Sequence, residues 1–275
     1  MVGRLTALDA AAKPIAEVAR KLPPGTLKDL LSGTPIGHAL HPLLTDLVIG
    51  SWTSATLLDL LGGERAEDAA RRLITVGIAA YPATAVTGLL DWADGEPVSD
   101  EVRRVGFVHA GLNAVGLALY VASLASRRRG ARRRGTALAL AGSGWMAVAG
   151  HLGGHLAYRL GIGVDQTAFD AGPQEWTDAM AADQAGSAPV GIQVGDTPVL
   201  IVRDGDDLLA LHDRCSHRGC SLAGGVVDGG SVTCPCHGSV FDLRSGAVRR
   251  GPATAPQPVL DARMRDGRIE VRQPQ

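Results

Sequence analysis

Two short loops in the C-terminal part of the chain carry the residues best suited to chemistry. The first reads Cys215-Ser216-His217-Arg218-Gly219-Cys220, the second Cys234-Pro235-Cys236-His237-Gly238-Ser239, and together they hold every cysteine of the chain. Thiolate and neutral imidazole are strong ligands for borderline and soft metals, so C-x-H followed by C-x-x-H is a metal-ligating pattern. Such a set serves either a closed four-coordinate zinc site or an iron–sulfur centre of mixed ligation. Zinc knuckles usually pair two ligands per turn, without a Gly-Ser after the last histidine, which weighs against zinc.

These loops, with the Gly-Pro segment Gly251-Pro252-Ala253-Thr254-Ala255-Pro256 that follows them, resemble the signature of the Rieske [2Fe-2S] family. The resemblance implies that Cys215 and Cys234 hold one iron, and His217 and His237 the other. It implies a disulfide between Cys220 and Cys236, and hence an oxidising compartment. Neutral imidazoles leave the cluster less negative than four thiolates would, which favours reduction. A titrating ring nitrogen couples that reduction to protons. Ser239 stands where the family places a hydroxyl donor to a bridging sulfide, which raises the potential. Phe241 stands where high-potential members carry a tyrosine hydroxyl, so a potential below that of quinol-oxidising members is expected. Arg218 follows the first ligand histidine, where those members carry an apolar residue. It resembles ferredoxin and oxygenase components instead, or is a solvated charge.

The surrounding sequence reads as a small antiparallel β domain. Short apolar runs at 190–194, 199–203 and 208–212 alternate with the turn signals Gly195-Asp196 and Asp204-Gly205-Asp206. Gly229-Gly230 precedes Ser231-Val232-Thr233, which leads into the second ligand loop, and Asp266-Gly267 joins the last two strands, near 262–264 and 269–271.

The whole-chain composition, 45% hydrophobic with a net charge of −1, averages two unlike halves. Segments 43–61, 73–90, 105–124 and 136–156 are mostly apolar and each approaches the roughly 20 residues of a bilayer-spanning helix. Their Gly, Ala, Ser and Thr permit close helix contact in lipid, although a buried soluble bundle is an alternative. Residues 5–31 are amphipathic, are broken by Pro23-Pro24-Gly25, and lack the layout of a cleavable signal peptide. They are expected to lie on the membrane surface. Arg127, Arg128, Arg129, Arg132, Arg133 and Arg134 place the connection between the third and fourth segments in the cytoplasm. Both termini then face outward, with the cluster domain on the extracytoplasmic side of a bacterial-type cytoplasmic membrane. Lys13, Arg20, Lys21 and Lys28 argue mildly against this topology.

Three further stretches are Gly37-His38-Ala39-Leu40-His41-Pro42-Leu43, Gly88-Leu89-Leu90-Asp91-Trp92 and Gly150-His151-Leu152-Gly153-Gly154-His155. They resemble the bacterial membrane family catalogued as domain of unknown function 2231, which implies a four-helix membrane unit and no assigned activity. Polar residues inside a membrane are functional candidates. His41, His109, His151 and His155 are candidate axial ligands of a b-type haem. Interhelical hydrogen bonds are the plainer alternative, with a metal or proton path as a third. Asp46 and Asn113 accompany them.

The expected architecture is multidomain. An interfacial segment (1–36) precedes an all-α transmembrane four-helix bundle (37–164), a linker (165–175) and an all-β Rieske domain (176–273). The expected function is a membrane-anchored carrier of single electrons, with a redox partner protein or quinone and the lipid bilayer as partners. A quinol-oxidising or haem-containing subunit of a membrane oxidoreductase is the alternative. No oxygenase-type mononuclear iron domain is expected in this length of chain, and no nucleic-acid motif occurs. Donor, acceptor and oligomeric state are not legible in the sequence.

Overall fold

The computed structural model describes residues 2–170 and 172–275. The chain divides into two compact units, one made of Met1–Lys21 and Leu40–Ile162, the other of Leu22–Ala39 and Gly163–Gln275.

The first unit is helical. It contains α1 (Asp9–Ala19) and four long helices, α3 (Leu40–Leu61), α4 (Glu67–Gly95), α5 (Asp100–Arg128) and α6 (Arg132–Gly154). A further short helix, α2 (Thr26–Ser32), belongs to the other unit. The helices therefore number six among the described residues, and the four expected spans are the long ones. Small residues govern their packing. A methyl at Gly77 would overlap Trp52, and one at Gly142 would press on Tyr120. Trp52 in turn stacks on Tyr120 with centroids 4.1 Å apart. The Tyr120 and Thr56 hydroxyls both meet Ser143 Oγ, at 2.8 and 2.7 Å, which joins α3, α5 and α6.

Arg127 is not a loop charge. It closes α5 with a fully buried side chain, paired to Asp59 and, at 2.7 Å, to Glu67. Arg132 reaches the same Glu67 at 3.1 Å. The arginine run therefore serves helix packing as well as any topology rule. Helix α1 is also engaged: Ala12 and Ala16 are fully buried, and Asp9 pairs with Arg104 at 2.8 Å.

The second unit is built on two antiparallel sheets. Its strands are β1 (Thr177–Ala181), β2 (Val190–Val194), β3 (Thr197–Asp204), β4 (Asp207–His212), β5 (Val226–Asp228), β6 (Ser231–Thr233), β7 (Val240–Asp242), β8 (Val248–Arg250), β9 (Val259–Arg265) and β10 (Arg268–Arg272). The larger sheet runs β1-β10-β9-β4-β3-β2 and the smaller β5-β6-β7-β8. β1 escapes sequence reading because Thr-Asp-Ala-Met-Ala has no alternating β-branched pattern; pairing with β10 makes it a strand. Just before it, Trp176 lies under two guanidinium groups, Arg263 at 4.1 Å and Arg272 at 4.5 Å.

The segment expected as a linker, 165–175, is fastened to this unit. Gln166 N donates to Ser216 O at 3.0 Å, Thr197 Oγ1 donates to Asp170 at 2.8 Å, and Asp170 meets His212 at 2.9 Å.

Candidate metal centre

The two ligand loops share one backbone design. In the first, Cys215 N donates to Cys220 O and Gly219 N donates back to Cys215 O, both at 2.8 Å. In the second, Cys234 N donates to Ser239 O at 2.8 Å and Gly238 N to Cys234 O at 3.1 Å. Each loop reverses at a glycine in the left-handed region, Gly219 (φ 76°) and Gly238 (φ 78°), where a side chain is strained. This geometry turns amides toward the sulfurs. The amides of His217 and Arg218 donate to the Cys215 thiol, and those of Cys236 and His237 to the Cys234 thiol.

Cys215 and Cys234 are buried free thiols that hydrogen-bond to each other. That bond favours one thiolate: Cys234 is lowered to about 7, chiefly by the Cys215 thiol, and Cys215 is pushed up by the same contact. His217 and His237 stand edge to face with ring centroids 5.1 Å apart. Two thiols lined by amide donors, beside two adjacent imidazoles, form a donor set suited to a binuclear cluster with two protein ligands per iron. Amide donors to thiolate sulfur stabilise the extra negative charge of reduction. No three or more His, Cys, Asp or Glu side chains among the described residues gather about a single ion.

Cys220 and Cys236 are joined by a disulfide that ties the two loops together. It closes a loop with a sequence separation of 16, and a crosslink of that size contributes about 3 kcal/mol. The double variant Cys220→Ser/Cys236→Ser is expected to lose about that much in denaturant unfolding of the cluster domain. The same transition under a thiol reductant should move only in the parent protein.

Other residues hold the loops in place. Ser239 is fully buried, and its Oγ accepts from Ala253 N at 2.9 Å, linking the second loop to the Gly-Pro segment. Its own hydroxyl proton is then free to serve another acceptor. Phe241 is fully buried in the core that also contains Cys215 and Cys234. Arg218 is buried, not solvated. Gln257 has no sequence signature, yet it braces the first loop. Its Oε1 accepts from Ser216 N at 3.0 Å, and its Nε2 donates to His212 O and Arg214 O, both at 2.6 Å. Asp213 adds bonds from Ser221 Oγ at 2.6 Å and Ala223 N at 2.7 Å.

Three of the four histidines of the helical unit have separate partners. His41 Nδ1 meets Thr84 O at 2.9 Å, and His109 Nδ1 meets Ala149 O at 2.8 Å. In both, the ring fits a glycine notch four residues further along the facing helix, Gly88 or Gly153. These are matched clamps within the hairpins α3–α4 and α5–α6. Asn113 lies against His109, its Nδ2 3.1 Å from Nε2. His151 is exposed, and His155 meets Glu101 at 3.4 Å.

Residues 175–262 match the Rieske [2Fe-2S] domain, and residues 37–166 match the predicted membrane protein family DUF2231. The anthranilate 1,2-dioxygenase ferredoxin subunit of Burkholderia cepacia is 39% identical over 98 residues, 35% of this chain and 91% of the relative. Ferredoxin CarAc of Metapseudomonas resinovorans is 33% identical over 100 residues, 36% of this chain and 94% of the relative. Iron-sulfur subunit 2 of the cytochrome b6-f complex of Trichormus variabilis is 32% identical over 126 residues, 38% of this chain and 70% of the relative. The chain belongs to the Rieske [2Fe-2S] family by its C-terminal domain, which follows a helical region that matches the DUF2231 family model. Membership implies a [2Fe-2S] cluster and a role in electron transfer.

Proposed function

We propose that this chain is a membrane-anchored carrier of single electrons, in which Cys215 and Cys234 bind one iron of a [2Fe-2S] cluster and His217 and His237 the other. The observation that carries the reading is the donor set, two amide-lined thiols beside two adjacent imidazoles. When bound, the cluster supplies a one-electron couple. The loops contribute fixed amide dipoles at the sulfurs, and the Gly-Pro segment closes over Ser239. The carrier's redox partner is a protein or a quinone.

Anchoring is supported by two segments, Gly63–Val98 and Asp100–Arg128, long and apolar enough to cross a bilayer. Only 28% and 22% of their apolar windows are covered by the rest of the chain, unlike core helices of a soluble protein. The disulfide favours the extracytoplasmic face for the cluster domain. A haem is not part of this reading, because the hairpin clamps account for His41 and His109.

An EPR-monitored redox titration of the detergent-solubilised, iron-loaded full chain, with an optical spectrum of the same sample, tests the proposal. A mixed-ligand [2Fe-2S] signal is expected, and its absence overturns the reading. Rapid reduction by quinol alone contradicts a simple protein-to-protein carrier.

A further inference from the structure

Exposed apolar side chains are unevenly distributed over the unit that holds the ligand loops. Among its described residues, seven large apolar side chains are exposed. Five of them, Leu27, Leu30, Ile36, Val164 and Phe169, lie in the two segments that join this unit to α3 and to the end of the helical unit at Ile162. The ten strands contribute only the other two, Val226 in β5 and Met264 in β9. Phe169 is 100% exposed. Single exposed apolar residues are ordinary, whereas a concentration of them marks a surface that something covers.

The first segment, Leu22–Ala39, is held with its apolar side outward. In α2, Leu27 and Leu30 are 58% and 57% exposed, while Lys28 and Ser32 are each only 5% exposed. A helix on a water-facing surface shows the reverse. The polar side is the one that packs. A methyl added to Gly251 would overlap Thr34 Oγ1 and lie 3.0 Å from Asp29 Oδ1, which is buried. Thr34 Oγ1 donates to Ala253 O at 3.0 Å. A methyl added to Gly238, next to His237, would lie 2.8 Å from Pro24. The segment therefore grips the Gly-Pro segment and the second ligand loop with Pro24, Asp29 and Thr34, and turns its leucines away. The second segment is fastened through Gln166 N to Ser216 O at 3.0 Å. The two run side by side where the chain passes to the helical unit, since a methyl at Gly163 would touch that of Ala39 at 4.0 Å.

We propose that Leu27, Leu30, Ile36, Val164 and Phe169 seat the cluster unit on the lipid bilayer, entering the boundary between headgroups and acyl chains. The inference rests on the membrane-anchored reading above. Lipid is the occupant because of where these residues stand in the chain. Ile36 comes four residues before α3 begins at Leu40, and Val164 two residues after the helical unit ends at Ile162. α3 packs on α4 through His41, and α6 on α5 through His109; α4 and α5 are the bilayer-length helices. In a bundle of helices alternating in direction, the start of the first and the end of the last lie at the same end. Both segments thus emerge at one membrane surface, where outward leucines gain by leaving water for the acyl boundary, as on a helix lying in the interface. Because the other side of Leu22–Ala39 packs on Gly238 and the Gly-Pro segment, the seat holds the second ligand loop at a fixed height over the membrane. The cluster unit does not swing on its linker.

The test is nitroxide power saturation on the full-length, cluster-loaded protein in phosphatidylcholine–phosphatidylglycerol vesicles, with the cluster oxidised. Leu27→Cys, Leu30→Cys, Phe169→Cys and the control Val226→Cys each add one reactive thiol, since Cys220 and Cys236 are joined and the cluster occupies the other two. Molecular oxygen concentrates in lipid, and a nickel chelate stays in water. The ratio of oxygen to nickel relaxation is expected to be several-fold higher at positions 27, 30 and 169 than at 226. Equal ratios at all four positions overturn the proposal. Protection from both reagents at 27, 30 and 169 also overturns it, because a partner protein or a second copy would then cover the patch in place of lipid. Washing the same vesicles with alkaline carbonate tests the reading beneath. Protein washed off overturns the anchoring itself, whereas protein retained with a wet patch overturns only the seat.

Discussion

Cys234→Ser is expected to abolish the cluster, with complete loss of the EPR signal and of the visible absorption in protein purified under iron-replete conditions. The thiol of Cys234 is already held at about 7 by its hydrogen bond with Cys215 and by the Cys236 and His237 amides. It is the readier of the pair to ionise, and metal binding requires the deprotonated sulfur. Serine keeps the shape but holds its proton at neutral pH. Cys215→Ser and His237→Ala should fail in the same way, because each iron has only two protein ligands. Cys220→Ser/Cys236→Ser provides the contrast. Those sulfurs are joined to each other, so the signal should keep its line shape while the domain unfolds earlier. A Cys234→Ser protein that retains the parent spectrum would remove Cys234 from the ligand set. Retention of cluster with altered line shape would also contradict the expected loss.

Arg127→Met is expected to destabilise the helical unit by about 3–5 kcal/mol, the usual cost of removing one partner from a buried ion pair. The side chains of Arg127 and Asp59 are 0% and 1% exposed. Asp59 Oδ1 has no hydrogen-bond partner of its own, so without the guanidinium the carboxylate is left buried and uncompensated. Arg127 also reaches Ser123 Oγ at 3.2 Å and fills the space beside Gly135. The measurement is the unfolding midpoint of the detergent-solubilised protein, followed by helix content. Asp59→Leu combined with Arg127→Met should recover most of the loss, because the pair then leaves together. Were Arg127 only a topology charge, neither the single nor the double change would move the midpoint.

These experiments separate what local sequence encodes from what it does not. The ligand loops are legible because every determinant lies within a few residues: thiols, imidazoles and a glycine that permits each reversal. The long helices are legible for the same reason, as runs of apolar and small residues. β2 coincides with its apolar run, whereas β5, β7 and β8 are three residues each and have too little pattern to read. The haem assignment goes no further because a histidine's type and helical spacing do not reveal that a backbone carbonyl and a glycine notch await it on the next helix.

By itself the sequence determined the family, the ligand types, the division into a helical and a β part, and the positions of the long helices. Those depend on neighbours and on periodicity. Only the tertiary structure decided that Leu22–Ala39 belongs with the cluster domain and not with the helices that flank it in the chain. It alone made Gln257 a brace, buried Arg218, and turned Arg127 from a loop charge into half of an ion pair. The Thr34–Ala253 bond spans 219 residues. No local pattern announces such a contact, because the free energy that holds it comes from burying both segments together. That burial exists only in the assembled fold.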